Sequence, residues 1–260
     1  MFAVSWTTTR AARAAFTVAI VNPRPVRDFA KAHNILAKTD RLDAAVIARY
    51  GHDVEVRTLD PIDETRQIRA DLVDRRSQLV GQRTAEMCRV EHARTPLVAA
   101  SLKTHIEHLD QQIDDLDKQI RQLIECDDLA KAIADKLETT AGVGPGTSAA
   151  FVTRMPELGR VSRLTSAALV GIAPMNDDSG THRGQRHIRG GRADLRAILY
   201  MATLTATRCN AVIRAHYQQL RARGKAFKVA IVACMRKLLT HLNNLARSVI
   251  EQRSNSTIST

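Results

Sequence analysis

Aromatic residues are scarce in this chain, at 3% of its 260 positions, although 44% of all residues are apolar. The apolar content therefore comes mainly from Leu, Ala, Ile and Val, a mix that favours packed helices over a β-sandwich. It is large enough for a real core, which excludes wholesale disorder. No apolar run reaches membrane-spanning length and nothing resembles a secretory signal, so we expect a cytoplasmic protein without a membrane partner.

Cysteine is also sparse, with four residues at positions 88, 126, 209 and 234. No two of them have Cys-x-x-Cys spacing, and no neighbouring histidine completes a zinc pattern. This spacing argues against a disulfide framework and against a structural zinc site. We expect reduced, buried thiols.

Acidic residues are the minority charge. The chain has 39 Lys and Arg against 27 Asp and Glu, which gives a formal net charge of +12 and an isoelectric point near 10.1. Such an excess draws a protein towards polyanions and indicates DNA or RNA as the partner. A structural helical protein with incidental charge is the alternative.

The hydrophobic pattern divides the chain into four predicted segments, at residues 1–60, 61–130, 131–253 and 254–260. The first segment contains a β-branched run, Thr17–Val21, followed by predicted helices at Pro25–Ala32 and Asp40–Tyr50, which indicates a partial α/β fragment. The third segment predicts an all-α domain of successive helices. The last segment is polar and predicts a disordered tail.

The second segment contains a heptad seam. Its apolar residues follow one another at alternating spacings of four and three, at Leu102, Ile106, Leu109, Ile113, Leu116, Ile120 and Leu123. This alternation predicts coiled-coil packing. Because a charged helix predicted to end near Pro96 precedes the seam, it could pair in an antiparallel hairpin within the chain or in a coiled coil between two chains.

A glycine-rich turn opens the third segment, with Gly142, Gly144 and Gly146 between two predicted helices, the second capped by Thr147 or Ser148. The pattern resembles a helix-hairpin-helix element, whose backbone N–H groups can hold a DNA phosphate without reading sequence. An ordinary joint between two helices is the alternative.

Residues 179–196 are the most unusual stretch of the chain. Ser179 stands at its edge, followed by His182, His187 and five arginines: Arg183, Arg186, Arg189, Arg192 and Arg196. The guanidinium groups supply planar donor forks that suit phosphate, and the glycines between them allow a close backbone approach. A hydroxyl beside a phosphate clamp indicates phosphodiester chemistry or grip on a nucleic-acid backbone; a solvated surface is the alternative.

Two carboxylates, Asp40 and Asp43, stand three residues apart at a predicted helix start and therefore share a face. Paired carboxylates can hold Mg²⁺, which prefers hard oxygen ligands. The general preference for acids at a helix N-terminus explains the pair equally well.

Two motifs together carry a family resemblance. They are the run Lys38-Thr39-Asp40-x-x-Asp43-Ala44 and the block that runs from Gly171-x-x-Pro174 through Ser179-Gly180 and the Arg-Gly stretch to Leu195-Arg196. Over roughly residues 17–250, the chain resembles the IS110 (IS116/IS902) family of insertion-sequence transposases.

The resemblance implies an N-terminal domain like a Holliday-junction resolvase, of the RNase H type, in which four acids in the order Asp, Glu, Asp, Asp bind Mg²⁺. It also implies a coiled-coil linker and a C-terminal domain whose serine attacks DNA, with a composite site assembled between subunits. On this resemblance Asp40 and Asp43 match the last two acids, and Ser179 matches the nucleophile. The implied partners are DNA, further copies of the chain in a dimer or tetramer, and in some members a guide RNA, in the bacterial nucleoid.

The chain departs from this pattern near its start. Asp28 is the only acid before Asp40, it lies beyond Asn22-Pro23, and no Glu precedes Glu55. The first two family acids are therefore not found, and we expect residues 1–16 to be unrelated to the family and the chain to be impaired in recombination. A non-catalytic, dimeric nucleic-acid-binding remnant is the alternative function.

Overall fold

The computed structural model describes residues 19, 21, 23–35, 40–56, 64–175, 178–179, 182–183 and 187–258. Over these residues the protein is mostly helical. The chain divides into two compact units, residues 1–67 and 68–260. None of the helices in the described ranges is long and apolar enough to cross a membrane.

The first unit contains helices α1 (Pro23–Ala32) and α2 (Asp40–Asp53). Both helices were expected from the sequence; α1 begins two residues earlier than predicted, because proline suits the first turn of a helix. The ring of Phe29 meets the ring of Tyr50 edge to face, with centroids 5.4 Å apart. Apart from Ala19 and Val21, the predicted strand Thr17–Val21 lies outside the described residues.

A long helical hairpin opens the second unit. Helix α3 (Glu64–Glu91) is followed by α4 (Pro96–Glu125), which Thr95 caps by accepting a hydrogen bond from Val98 N. Arg83 binds Asp110 at 2.8 Å, and Arg69 binds Asp127, just beyond α4, at 3.1 Å. Because the partner's number falls as the arginine's number rises, the two helices run antiparallel.

The heptad seam lies on α4 and faces α3. Leu109 and Ile113 pack with Leu79 of α3 in a small cluster of their own, whereas Ile120 joins Val73 in the main core. Of the two arrangements compatible with the seam, the described residues show the hairpin within one chain. Pairing between chains stays a prediction.

The rest of the second unit packs around its last helix. The helices are α5 (Asp128–Glu138), α6 (Pro145–Arg154), α7 (Arg163–Val170), α8 (Ala193–Cys209), α9 (Ala211–Ala222) and α10 (Phe227–Ile258). Helix α10 contacts α5, α7, α8 and α9, and Ile231, Leu238 and Leu242 on it are almost fully buried. The helix extends to Ile258. The disordered tail expected at residues 254–260 stays a prediction.

Four two-residue strands interrupt the helices between α7 and α8. Strand β1 (Pro174–Met175) pairs with β4 (His187–Ile188), and β2 (Asp178–Ser179) pairs with β3 (His182–Arg183), both antiparallel. The expectation of an all-α C-terminal domain is therefore wrong at this point. Strands of two residues are too short to produce a recognisable alternation in the sequence.

The thiols also differ from expectation. Cys234 is buried, and burial raises the pKa of its thiol. Cys88, Cys126 and Cys209 are exposed, so the expectation of buried cysteines holds for one position only.

Asn243 joins α10 to the loop after α6. Its side chain is 1% exposed, accepts a hydrogen bond from Gly159 N at 2.9 Å and donates one to Val161 O at 3.0 Å. Asn243→Ala should lower the free energy of unfolding by about 2–3 kcal/mol, because buried backbone groups lose their partners. Denaturant unfolding measures this change. Asn244→Ala, at the exposed next position, is the matched control, and an equal loss in both variants would contradict the prediction.

Candidate nucleic-acid and catalytic site

Ser179 occupies the end of the β2–β3 pair. It is the register partner of His182, and only Gly180 and Thr181 stand between the two in the sequence. The backbone of Ser179 therefore lies at the closed end of a β-hairpin that links α7 to α8. The role of the Ser179 hydroxyl stays a prediction.

The stem of this hairpin is a close crossing of two glycine segments. Gly171 ends α7 with a left-handed φ of 76°, and a Cβ built on it would lie 2.1 Å from the carbonyl oxygen of Gly190. A Cβ on Gly191 would lie 2.3 Å from the backbone nitrogen of Gly171. The close approach that these glycines permit is therefore between two parts of the chain itself.

Two of the predicted phosphate-binding arginines stabilise the stem through hydrogen bonds. Arg196 donates through Nη1 to the carbonyl oxygen of Gly190 at 2.6 Å and to that of Val170 at 3.3 Å. Arg192 binds Glu157 with two hydrogen bonds of 2.8 and 3.0 Å, a geometry that holds a guanidinium firmly. These side chains have partners within the chain that keep the hairpin in place.

The remaining arginines of the stretch are placed differently. Arg189 is exposed, and its Nε donates to the sulfur of Met175 at 3.3 Å. Arg183 belongs to β3, but its side chain and the whole of Arg186 lie outside the described residues. His187 is exposed on β4. Arg189 and His187 thus remain accessible to a ligand.

Arg154, at the end of α6, is a residue whose role the sequence did not reveal. It forms ion pairs with Asp74 of α3 and with Asp194 in the first turn of α8, and its side chain is only 10% exposed. Burial lowers the pKa of Arg154. The contact explains Asp194, the single acid in the basic stretch, as a partner for a buried guanidinium. Asp74 and Asp194 are distant from Arg154 in the sequence, so no local pattern could have indicated that the three side chains meet.

The glycine turn before α6 has mixed roles. Gly142 has a φ of +98°, and a Cβ on it would lie 2.7 Å from that of Ala206 on α8, so this glycine serves packing. Gly146 lies against the guanidinium of Arg76, 3.1 Å from its would-be Cβ. Gly144 is exposed with open space around it. Of the three glycines, only Gly144 leaves room for a ligand beside its Cα.

The cap of α6 differs from the prediction. Gly144 is the N-cap and Pro145 occupies the first turn, whereas Thr147 and Ser148 lie inside the helix. Ser148 donates instead to the carboxylate of Glu138 at 2.6 Å. Proline at the first helical position explains the earlier start. Whether the turn is a helix-hairpin-helix element stays a prediction.

Asp40 and Asp43 lie in the first turn of α2, where the helical period puts positions three apart on one face. The side chain of Asp43 is exposed, whereas that of Asp40 lies outside what the structure describes. Asp28 on α1 pairs with Arg24 at 3.9 Å and Lys31 at 3.7 Å. Among the described residues no group of three or more His, Cys, Asp or Glu could hold a metal.

Comparison with known families divides the chain in two. Residues 134–218 match the family model described as "Transposase IS116/IS110/IS902 family", and residues 5–95 match a model described as "Transposase", of the DEDD type of IS110 elements. Because the second match begins at residue 5, the expectation that residues 1–16 are unrelated to the family is wrong for most of them.

Individual relatives agree with the family models. The chain is 30% identical over 230 residues to the pilin gene-inverting protein of Moraxella bovis, which covers 86% of this chain and 70% of that protein. It is 31% identical over 163 residues to a 44.8 kDa protein of insertion element IS116 from Streptomyces clavuligerus, covering 60% of this chain and 38% of that protein. The chain therefore belongs to the IS116/IS110/IS902 family of DNA-acting transposases.

Proposed function

We propose that this transposase cuts and joins DNA strands with Ser179 as its nucleophile. The Oγ of Ser179 attacks a backbone phosphorus, a new P–O bond forms, and the bond from phosphorus to one sugar oxygen breaks. The serine gives up its proton, and the departing sugar oxygen takes one. The observation that carries the proposal is the position of Ser179 at the closed end of a hairpin whose stem is fixed by Arg192 and Arg196.

The basic residues of the same hairpin support the chemistry. Negative charge grows on the phosphoryl oxygens during attack, and fixed cations nearby stabilise it. Arg189 is exposed for this role, and we assign the same role to Arg183 and Arg186. Arg192 and Arg196 act instead by positioning, through their bonds within the chain. His182, the register partner of Ser179, is our candidate for moving the serine proton.

Asp40 and Asp43 are the proposed Mg²⁺ ligands. Their carboxylate oxygens are the hard donors that Mg²⁺ prefers, and the two positions share one face of α2. The donor set therefore fits the ion, with water left to complete its shell. Bound there, the ion would polarise the phosphodiester and stabilise the leaving oxygen.

We test the carboxylates with Asp40→Asn/Asp43→Asn. Formation of a covalent protein–DNA adduct in the presence of Mg²⁺ should fall on the order of 100-fold or more, because several kcal/mol of charge stabilisation are lost. Denaturing electrophoresis of labelled DNA measures the adduct. Asp28→Asn, a change at an exposed acid of α1, is the control. If adduct formation is equal in the two variants, Asp40 and Asp43 only stabilise the N-terminus of α2.

We further propose that the aspartates of one subunit complete the site of another. Mixing Ser179→Ala protein with Asp40→Asn/Asp43→Asn protein tests this directly. Each variant alone lacks one half of the site, but a mixed oligomer contains one site with both halves intact. Recovery of adduct formation on mixing supports a composite site, and its absence places both halves in one subunit.

A second candidate function is a nucleic-acid-binding protein without catalysis. It is favoured by the acids of the first unit, since Asp28 alone precedes Asp40 and is engaged with Arg24 and Lys31. This candidate predicts that wild-type protein binds DNA with steep salt dependence but forms no adduct with Mg²⁺ present. An adduct that requires Ser179 excludes it.

The name of one relative indicates the type of reaction to assay. The name of the Moraxella bovis protein describes inversion of a pilin gene, which is a rearrangement between two sites on one DNA. We propose that this chain likewise exchanges strands between two DNA sites, and that it does so as an oligomer, with a guide RNA as a further partner.

Gly144 at the start of α6 is our candidate for a backbone phosphate contact.

A further inference from the structure

The turn between α9 and α10 is exposed and strongly basic. Every residue from 221 to 229 is exposed, and this segment joins the end of α9 to the first turn of α10. No Asp or Glu occurs from residue 195 to residue 250, so acids near in the sequence do not neutralise the cations of the segment. These cations are Arg221, Arg223, Lys225 and Lys228.

Hydrogen bonds fix the backbone of this turn. Gly224 has a left-handed φ of 74°, and its N–H donates to the carbonyl oxygen of Arg221 at 3.0 Å. The N–H of Lys225 donates to the carbonyl oxygen of Leu220 at 3.1 Å. These two bonds form a Schellman motif, which sets the direction in which the chain leaves a helix. The Nη1 of Arg221 then donates to the carbonyl oxygen of Lys225 at 2.8 Å, so the guanidinium is held across the turn.

An aromatic ring lies at the same turn. Phe227 begins α10, and among the Phe and Tyr side chains that the structure describes it is the most exposed, at 43%. Its ring meets the ring of Tyr217 edge to face, with centroids 6.4 Å apart. Tyr217 is half-buried against the main core and lies one helical turn before Arg221, on the same face of α9. The core thus supports the ring of Phe227 through Tyr217 and leaves much of it open to solvent.

An exposed ring among cations suits unpaired nucleotides. A base can stack on the ring whatever its identity, while the phosphates of the same strand contact the cations. In a double helix the bases are already paired and stacked, so they are not available to the ring. A protein partner is the other kind of ligand for an exposed ring, but lysines are depleted from the cores of protein interfaces, and two lysines flank Phe227 closely in the sequence.

We propose that this turn binds single-stranded nucleic acid, with one base stacked on Phe227 and the phosphates of the strand on the neighbouring cations. We call the site the Phe227 platform and define it as Tyr217, Arg221, Lys225, Phe227 and Lys228. The proposal does not depend on Ser179 being a nucleophile. Unpaired DNA and unpaired RNA offer the same chemistry, so the experiment uses both.

The first experiment removes the ring. Binding of the full-length protein to labelled oligothymidine, to oligouridine and to a random-sequence DNA duplex is measured by fluorescence anisotropy. Phe227→Ala should weaken binding of a single strand about 5- to 150-fold, the worth of one base stacked on one ring, and should change duplex binding much less. Phe227→Tyr keeps a ring and should bind close to wild type. Leu97→Ala, which trims an 82% exposed side chain on α4, is the matched control and should have no effect.

The second experiment removes two cations. For single strands the plot of log K against log salt concentration has a slope of about −0.7 per neutralised phosphate. Lys225→Gln/Lys228→Gln should therefore make the slope shallower by about 1.4, whereas Phe227→Ala should lower the affinity and leave the slope unchanged. Lys103→Gln/Lys136→Gln, at exposed positions of α4 and α5, is the control. A thermal melt of each variant reports folding.

The outcomes are distinct. Selective loss of oligothymidine binding in Phe227→Ala identifies DNA as the ligand, and loss on oligouridine alone identifies RNA; either supports the proposal. Unchanged single-strand binding, an equal loss on the duplex, or an equal loss in Leu97→Ala overturns it. Ser179→Ala should bind the single strands as wild type does, so failure of the nucleophile and failure of the platform are told apart.

Discussion

Ser179→Ala protein is expected to form no covalent adduct with substrate DNA while it binds that DNA as tightly as wild type. The substitution removes the attacking oxygen, and loss of a nucleophile costs on the order of 1000-fold or more in enzymes that use one. The stem of the hairpin is held by Arg192 and Arg196, so the fold should be retained. Denaturing electrophoresis reports the adduct, and anisotropy reports binding.

Ser101→Ala is the control for this result, since Ser101 is an exposed serine on α4. It should form adduct at the wild-type level. Adduct that persists in Ser179→Ala would show that another side chain attacks the phosphodiester. Loss of binding together with loss of adduct would instead show that the hydroxyl serves to hold DNA.

Gly171→Ala is expected to destabilise the protein by about 3 kcal/mol or more, because two costs combine. The residue has a φ of 76°, a left-handed backbone conformation that residues with a Cβ rarely adopt. The added methyl group would also lie 2.1 Å from the carbonyl oxygen of Gly190, and backbone atoms cannot move aside cheaply. Denaturant unfolding should show the loss directly.

Gly190→Ala separates the two costs. Its φ of +72° is nearly the same as that of Gly171, but a Cβ on it has no neighbour within 4 Å. The backbone strain alone should cost about 1 kcal/mol. Equal destabilisation in the two variants would mean that the crossing of the two segments is looser than the structure shows.

We also expect Gly171→Ala to reduce adduct formation by more than its loss of folded protein explains, because the added methyl group displaces the hairpin of Ser179.

Much of the helical architecture was predictable because local pattern and burial coincide there. The seam from Leu102 to Leu123 has the period of a packed helix, and its central residues are buried against α3. Ends of helices were less predictable, since α6 begins at Pro145 and α10 runs on to Ile258. At such ends the signal is a single residue, and neighbouring turns decide the outcome.

The candidate site was predictable only in part. Ser179 stood out because of its neighbours in the sequence, and the resemblance to a family gave it a role. The sequence predicts a close approach of a ligand at the glycines of this stretch, whereas Gly171 and Gly191 meet each other in the stem. Arg154 could not be found at all, because Asp74 and Asp194 come together with it only in the folded chain.

Arg154 also has a mechanical consequence. One guanidinium is shared between the long helical hairpin, through Asp74, and the first turn of α8, through Asp194. The segment that bears Ser179 leads directly into that turn. A tilt of the long helical hairpin would therefore be transmitted through Arg154 to the first turn of α8, next to the segment that bears Ser179.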